Sequence, residues 1–244
     1  MSLIRTESIT KSYSGQKIIE DINIHVEKGE IVSLLGVSGA GKTTLFHVIA
    51  GLTSPDSGRV LLEEEDITSK PGRIAYMLQK DLLMEHKKVI DNVALPLVLK
   101  GMSHKQARDK VEPFFDGFGL EGYQYKYPAQ LSGGMKQRAA LLRTYMASTG
   151  TALLDEPFSA LDTITKESIH KWYLGIMEEI KLATLLVTHD IDEAILLSDR
   201  VYILKGKPGR IVDEIVIKEK KPRNEDFQLS EEFIGYKRHI LSML

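Results

Sequence analysis

Apolar and polar residues alternate from Ile22 to Val26, where Ile22, Ile24 and Val26 are set against Asn23 and His25. A period of two predicts a strand with one buried face. Lys28-Gly29-Glu30 reads as a turn, and the apolar run 31–35, closed by Gly36, predicts a buried strand. Residues 44–50 predict a helix stopped by Gly51, and Ser54-Pro55-Asp56-Ser57-Gly58 is a strong turn signal. A strand is expected over 60–62, followed by the acidic run 63–66 as a solvated hairpin tip.

From about Gln79 to Tyr127 the pattern becomes helical. Residues 103–118 carry Ala107, Val111, Phe114 and Phe115 at helical spacings. Beyond Gln130 the chain alternates: helix 133–147, strand 152–154, helix near 165–180, strand 184–188, and a helix from about Ile191. Strands separated by helices predict parallel βαβ units. Two last strands, 200–204 and 210–217, flank the turn 205–209. A basic linker, 218–223, leads to an amphipathic helix with Phe233, Ile240, Leu241 and Leu244 as its apolar positions. The expected organisation is one α/β domain over residues 1–217, into which a helical block of about 80–140 is inserted, and a tail over 218–244.

The length of 244 residues suits one large domain or two small ones. With 43% hydrophobic and 27% charged residues, the composition excludes wholesale disorder and fibrous repeats. The net charge of −2 argues against a general nucleic-acid binder. There is no cysteine, which removes disulfides, thiolate metal sites and a cysteine nucleophile. No run approaches the roughly 18 apolar residues of a membrane-spanning helix. Arg5 and Glu7 fall where a signal peptide needs apolar residues, so a soluble chain that stays in the cytoplasm is expected.

Gly36-Val37-Ser38-Gly39-Ala40-Gly41-Lys42-Thr43 matches G-x-x-x-x-G-K-[ST] between an apolar strand and a helix. Glycines let successive N–H groups turn toward phosphate oxygens, and the helix N-terminus adds its dipole. Lys42 supplies a cation to the β- and γ-phosphates and Thr43 a hydroxyl to Mg²⁺. Ala152-Leu153-Leu154-Asp155-Glu156 ends an apolar strand in two carboxylates at the carboxyl edge of a parallel sheet, where ligands bind. Asp155 is suited to Mg²⁺ and Glu156 to polarising an attacking water. Ser132-Gly133-Gly134 lies 23 residues before Asp155 and forms a second anion nest at a helix start. A second nest in one chain points to two chains meeting head to tail.

With these motifs in order, the sequence resembles the nucleotide-binding subunit of ATP-binding cassette (ABC) transporters. Leu131-Ser132-Gly133-Gly134-Met135-Lys136-Gln137 is similar to the family signature. The resemblance implies a P-loop NTPase (RecA-like) core, an antiparallel β subdomain and a helical subdomain carrying the signature. It implies ATP and Mg²⁺ as cofactors, with Thr44 joining Gly36–Thr43 in nucleotide binding. Tyr13 resembles the aromatic that stacks on adenine, and Gln79 the glutamine that senses Mg²⁺ and the γ-phosphate. Ser159-Ala160-Leu161-Asp162 resembles the loop that crosses the dimer interface, and His189 the switch histidine that holds the γ-phosphate. Trp172 and the other histidines read as packing or surface residues.

The implied partners are a second copy, a transmembrane permease whose coupling helix sits near residues 79–93, and, indirectly, an extracellular solute-binding protein. The implied location is the cytoplasmic face of the membrane. Residues 127–138, 187–198 and 199–211, above all Pro208-Gly209-Arg210-Ile211, are similar to importer ATPases for nitrate, sulfonate and taurine, a group that includes importers of pyrimidine thiamine precursors. The alternative is a soluble ABC-type ATPase acting on DNA or ribosomes. Such DNA-repair members place a long coiled coil between the first motif and the signature, and the 90 residues between Lys42 and Ser132 hold no coiled-coil heptads. A P-loop kinase or small GTPase needs no Ser-Gly-Gly nest.

Overall fold

The structure is a computed structural model that describes residues 2–159, 163–221, 223 and 225–244. Strands β1 (Ser2–Tyr13), β2 (Gln16–Ile22), β3 (His25–Glu27), β5 (Ser57–Leu62) and β6 (Glu65–Asp66) form an antiparallel sheet in which β1 is central. Strands β4 (Ile31–Gly36), β7 (Ala75–Met77), β8 (Thr151–Asp155), β9 (Ala183–Thr188), β10 (Arg200–Lys205) and β11 (Arg210–Val216) form the second sheet. Its order is β11-β10-β4-β9-β8-β7, parallel except at the β10–β11 hairpin.

The helices are α1 (Lys42–Ile49), α2 (Val89–Leu99), α3 (His104–Val111), α4 (Gly133–Ala147), α5 (Thr163–Ile180), α6 (Ile191–Leu197), α7 (Glu225–Gln228) and α8 (Glu231–Met243). Every residue of β4, β8 and β9 is buried, as continuous apolar runs require of strands covered on both faces. The alternation of side chains then divides the core in two. Leu34, Leu153 and Leu185 pack with α1 (Leu45, Phe46, Ile49) against Ile4, Ile9 and Ile19 of the antiparallel sheet. Leu35, Leu154 and Leu186 face the other way, onto α2, α4, α5 and α6. Helix α1 is therefore clamped between the sheets, and its N-terminus emerges at the carboxyl edge of the parallel strands.

Several expectations shift in detail. The helix expected over 103–118 ends at Val111 and tightens to a 3₁₀ turn, Glu112–Phe114, because Pro113 cannot donate its backbone nitrogen. Its apolar positions still converge, with Ala107, Val111 and Phe115 fully buried. Residues 63–66 form an exposed tip with a short returning strand. In α8, Phe233 and Ile240 are buried and Tyr236 and Leu244 pack beside them, whereas Leu241 is 56% exposed. The expected apolar role of Leu241 is corrected: the stripe that meets the core runs 233, 236, 240, 244, and Leu241 lies one step around the helix. Trp172 packs against Phe118 and donates to the Gly117 carbonyl at 3.1 Å. Among the described residues no helix is long and apolar enough to cross a membrane.

Candidate active site

The loop from Gly36 to Gly41 leaves β4 and turns into α1. Gly41 is the helix N-cap at φ 102°, in left-handed backbone that disfavours any side chain, and a Cβ there would stand 2.4 Å from Ile19 Cγ2. No side chain caps α1, which leaves its first N–H groups without a side-chain acceptor, and Lys42, Thr43 and Thr44 of its first turn line a cleft. Lys42 Nζ folds back over the loop and donates to the carbonyls of Gly36 (2.6 Å) and Val37 (3.1 Å). Burial pushes the Lys42 ammonium below the ordinary lysine range, while the carboxylates of Glu156 and Asp155 pull it back up. A cleft of about 350 Å³ is lined by Ser38, Gly39, Gly41, Lys42, Thr43, Thr44, Asp155 and Glu156, with Ile18 and Val187 on its walls.

Asp155 ends β8 and is 9% exposed. Burial raises its carboxyl above the usual range; the Tyr76 hydroxyl, donating to Oδ2 at 3.1 Å, works against this, and the neighbouring Glu156 adds to it. Tyr76 is itself held protonated by burial, next to Asp155. Glu156 follows in left-handed backbone, φ 45°, and lines both this cleft and an adjoining one. There Gln79 Nε2 donates to Oε2 at 3.0 Å, and His189 Nδ1 lies 3.2 Å from Oε1. Ser159 stands 3.4 Å from Gln79 Nε2. Four of the residues singled out by sequence, Lys42, Gln79, Glu156 and His189, thus meet along one sheet edge.

Tyr13 and the signature residues are elsewhere. Tyr13 ends β1, 46% exposed, with Lys11 Nζ 5.4 Å from its ring centroid, outside the lining of the phosphate-loop cleft. Ser132 caps α4 by accepting from Met135 N at 3.3 Å; Ser132 and Gly133 are exposed and Gly134 is buried, and none of them lines either cleft. Asp162, with Ala160 and Leu161, lies outside the described residues.

Sequence reasoning missed the residues that tie these pieces together. Arg143 on α4 donates to the carbonyls of Asp81 and Leu82, so the helix that begins at Ser132 holds the segment after Gln79. Asn92, fully buried on α2, accepts from Met84 N at 2.6 Å and donates to the carbonyls of Met84, Lys87 and Lys88. Neither has a local signature: an arginine inside an amphipathic helix and an asparagine in an apolar one read as ordinary until their neighbours are known. The element 208–211 also acquires a place. Gly209 N donates to the Ile18 carbonyl (2.8 Å), and its own carbonyl accepts from Glu20 N (3.0 Å), stitching the β10–β11 turn beside the phosphate loop.

The family model for ABC transporters matches residues 19–159, more than half of the chain, and the chain belongs to that family. It is 44% identical over 207 residues to the formylaminopyrimidine import ATP-binding protein of Halalkalibacterium halodurans, covering 84% of this chain and 81% of that one. It is 37% identical over 232 residues to the nitrate import ATP-binding protein of a Synechocystis species, with 93% and 87% covered. Against the aliphatic sulfonates import ATP-binding protein of Bacillus cereus the identity is 36% over 242 residues, with 98% and 94% covered. Among solved structures, a subunit of an ABC transporter complex from Clostridium perfringens superimposes with a TM-score of 0.81 at 26% identity, covering 98% of this chain and 99% of that one. A bacterial ABC transporter cassette solved as a dimer gives 0.75 at 29% identity, with 89% and 100% covered.

Proposed function

We propose that this chain is the ATP-binding and ATP-hydrolysing subunit of an importer for a small solute, acting on the cytoplasmic face of the membrane through a permease. The observation that carries the reading is the convergence of Gln79 and His189 on the Glu156 carboxylate, beside a phosphate loop with its lysine in place. Residues 36–44 hold the triphosphate of ATP: backbone N–H groups and the α1 dipole bind oxygens, and Lys42 exchanges its loop carbonyls for the β- and γ-phosphates. Tyr13 stacks on adenine.

The uncapped helix start and the glycine cradle fit a polyphosphate. The hard oxygens of Thr43 and Asp155, with the Gln79 amide nearby, fit Mg²⁺. When bound, that ion neutralises charge developing on the phosphate oxygens. Glu156 accepts the proton of a water attacking the γ-phosphorus, and His189 orients the γ-phosphate from the other side of the same carboxylate.

Ser132, Gly133 and Gly134, with Asp162, complete the site of a second copy, so two chains enclose two nucleotides. That Ser132, Gly133 and Gly134 line neither cleft of this chain supports that arrangement. In this reading residues 1–217 are the nucleotide-binding domain, 80–140 its helical subdomain that receives the permease near 79–93, and 218–244 the tail. An extracellular solute-binding protein delivers the solute to the permease. The three relatives named for import favour transport over the soluble alternative, and their names support a solute resembling nitrate, an aliphatic sulfonate or a formylaminopyrimidine.

Two variants test the site. Lys42→Ala is expected to abolish tight ATP binding in equilibrium titration. Glu156→Gln is expected to keep binding, stop turnover and accumulate as an ATP-bound dimer in size exclusion. Wild-type turnover in Glu156→Gln would remove Glu156 as the base, and unchanged affinity in Lys42→Ala would remove the site.

A further inference from the structure

Glu193 is 3% exposed, and none of the roles above uses it. It sits in the first turn of α6, where its charge meets the positive end of the helix dipole. A carboxylate this buried persists only where its oxygens are matched, and here they are. Oε2 accepts from the Thr188 hydroxyl, while Oε1 lies 3.1 Å from His170 Nε2 and 3.8 Å from Lys166 Nζ, both on α5.

Thr188 and Asp190 flank His189 in sequence, and both are fixed by this network. The Thr188 hydroxyl, while donating to Glu193, accepts from Asp190 N at 3.0 Å. Asp190 Oδ1 accepts from the backbone of Asp192 and Glu193, and its Oδ2 lies 3.5 Å from Lys166 Nζ. The His189 ring itself is 56% exposed and touches Glu156. With the ring half-exposed, its position depends on the backbone turn as well as on that contact. On the far side, His170 meets the Phe158 ring edge-on at 4.9 Å, two residues beyond Glu156. One buried carboxylate thus joins the turn bearing His189, the loop bearing Glu156, and helix α5.

We propose that Glu193, acting through Thr188, is the positioning residue that sets His189 against Glu156, so that its loss lowers turnover without loosening ATP. The inference rests on the reading of Glu156 and His189 given above. Displacing a reacting group by about 1 Å can cost on the order of a hundredfold in rate, so a half-exposed ring held by its backbone and the Glu156 contact is sensitive to that anchor.

The test compares Glu193→Ala, Glu193→Gln, Thr188→Val and Thr188→Ser in the full chain. Glu193→Ala and Thr188→Val are expected to lower kcat roughly tenfold or more, with ATP affinity unchanged. Glu193→Gln, which keeps an acceptor for Thr188, and Thr188→Ser, which keeps the hydroxyl, are expected to recover most of the rate. In a His189→Ala background, Glu193→Ala should have no further effect on kcat, because residues acting as one unit are non-additive.

Independently of turnover, the imidazole resonances of His189 should shift in Thr188→Val and Glu193→Ala in 15N-histidine-labelled protein, His189 being assigned by its own substitution. Thr188→Val keeps the side-chain volume and serves if Glu193→Ala does not fold. Unmoved His189 resonances with unchanged kcat would overturn the proposal, as would an equal loss of rate in the His189→Ala background. Failure of the underlying site reading is distinct: Glu156→Gln would then turn over normally in the same assay, whatever Glu193 does.

Discussion

Gln79 Nε2 donates to Glu156 Oε2 at 3.0 Å, joining residues 77 positions apart in the chain. The link exists because β7 and β8 are parallel neighbours, so their carboxyl ends arrive at the same edge. The segment that follows Gln79 is in turn gripped by Arg143 of α4. A movement of Glu156 is thereby connected, through two sets of hydrogen bonds, to the helix that carries Ser132.

Arg143→Ala should loosen that grip. Charged hydrogen bonds contribute about 1.5–3 kcal/mol each at most, and part of this is recovered when water reaches Asp81 and Leu82. The expected outcome is a drop in stability of about 1–3 kcal/mol and faster amide exchange confined to residues 80–88. Unchanged exchange there would show that Asn92 alone orders the segment.

Ser132→Arg should leave the monomer folded and able to bind ATP, yet block hydrolysis. Loss of the cap on Met135 N costs about 0.5–2 kcal/mol, which a fold of this size tolerates. The cation would fill the anion nest that a second copy needs. The direct measurement is the distance between probes at Ser38 of one chain and Gly134 of another. It should shorten on adding ATP–Mg²⁺ in the wild type and not in the variant. Full hydrolysis without that approach would sink the head-to-tail dimer.

Gly209→Ala probes a remote support of the nucleotide site. A Cβ at Gly209 would stand 2.0 Å from the carbonyl oxygen of Ala40, inside the phosphate loop. The loop has to shift, and overpacking of this kind costs about 1–3 kcal/mol. ATP affinity is expected to fall about tenfold, the equivalent of 1.4 kcal/mol, although Gly209 touches no phosphate. Calorimetric titration at a temperature where the variant is fully folded checks it; wild-type affinity would mean that the loop relaxes without cost.

Glu20 gives a pH dependence with a definite sign. Hydrogen bonds from Lys17 first and Arg210 second lower its pKa to about 2. A depressed carboxyl contributes stability that is present above its unfolded value near 4.5 and lost as pH falls toward about 2. The stability difference between wild type and Glu20→Gln should be constant above pH 4.5 and shrink through that window. The pair is exposed, so the difference should also shrink in 1 M salt. A difference independent of pH and salt would show that Glu20 acts by shape alone.

Local patterns in the chain were sufficient for much of this protein. The apolar runs before Gly36, Asp155 and His189 marked three strands buried on both faces, and α4 spans the 133–147 expected from its pattern. The phosphate loop was legible because its chemistry depends on consecutive backbone groups, which a contiguous motif specifies. Two local expectations did not hold: Pro113 shortens α3, and Leu241 is exposed, one step around the helix from Phe233, Tyr236, Ile240 and Leu244.

What the sequence left open is which elements become neighbours. Strand β4 lies between β9 and β10, and β8 between β9 and β7, an order set by long-range packing that local periodicity does not encode. That order brings Gln79 and His189 onto the Glu156 carboxylate, sets Gly209 against Ala40, and hands the Gln79 segment to Arg143. A periodic pattern states that a side chain is buried and on which face. The identity of the atom it meets is decided only when the sheet closes, because that contact belongs to two distant stretches of chain at once.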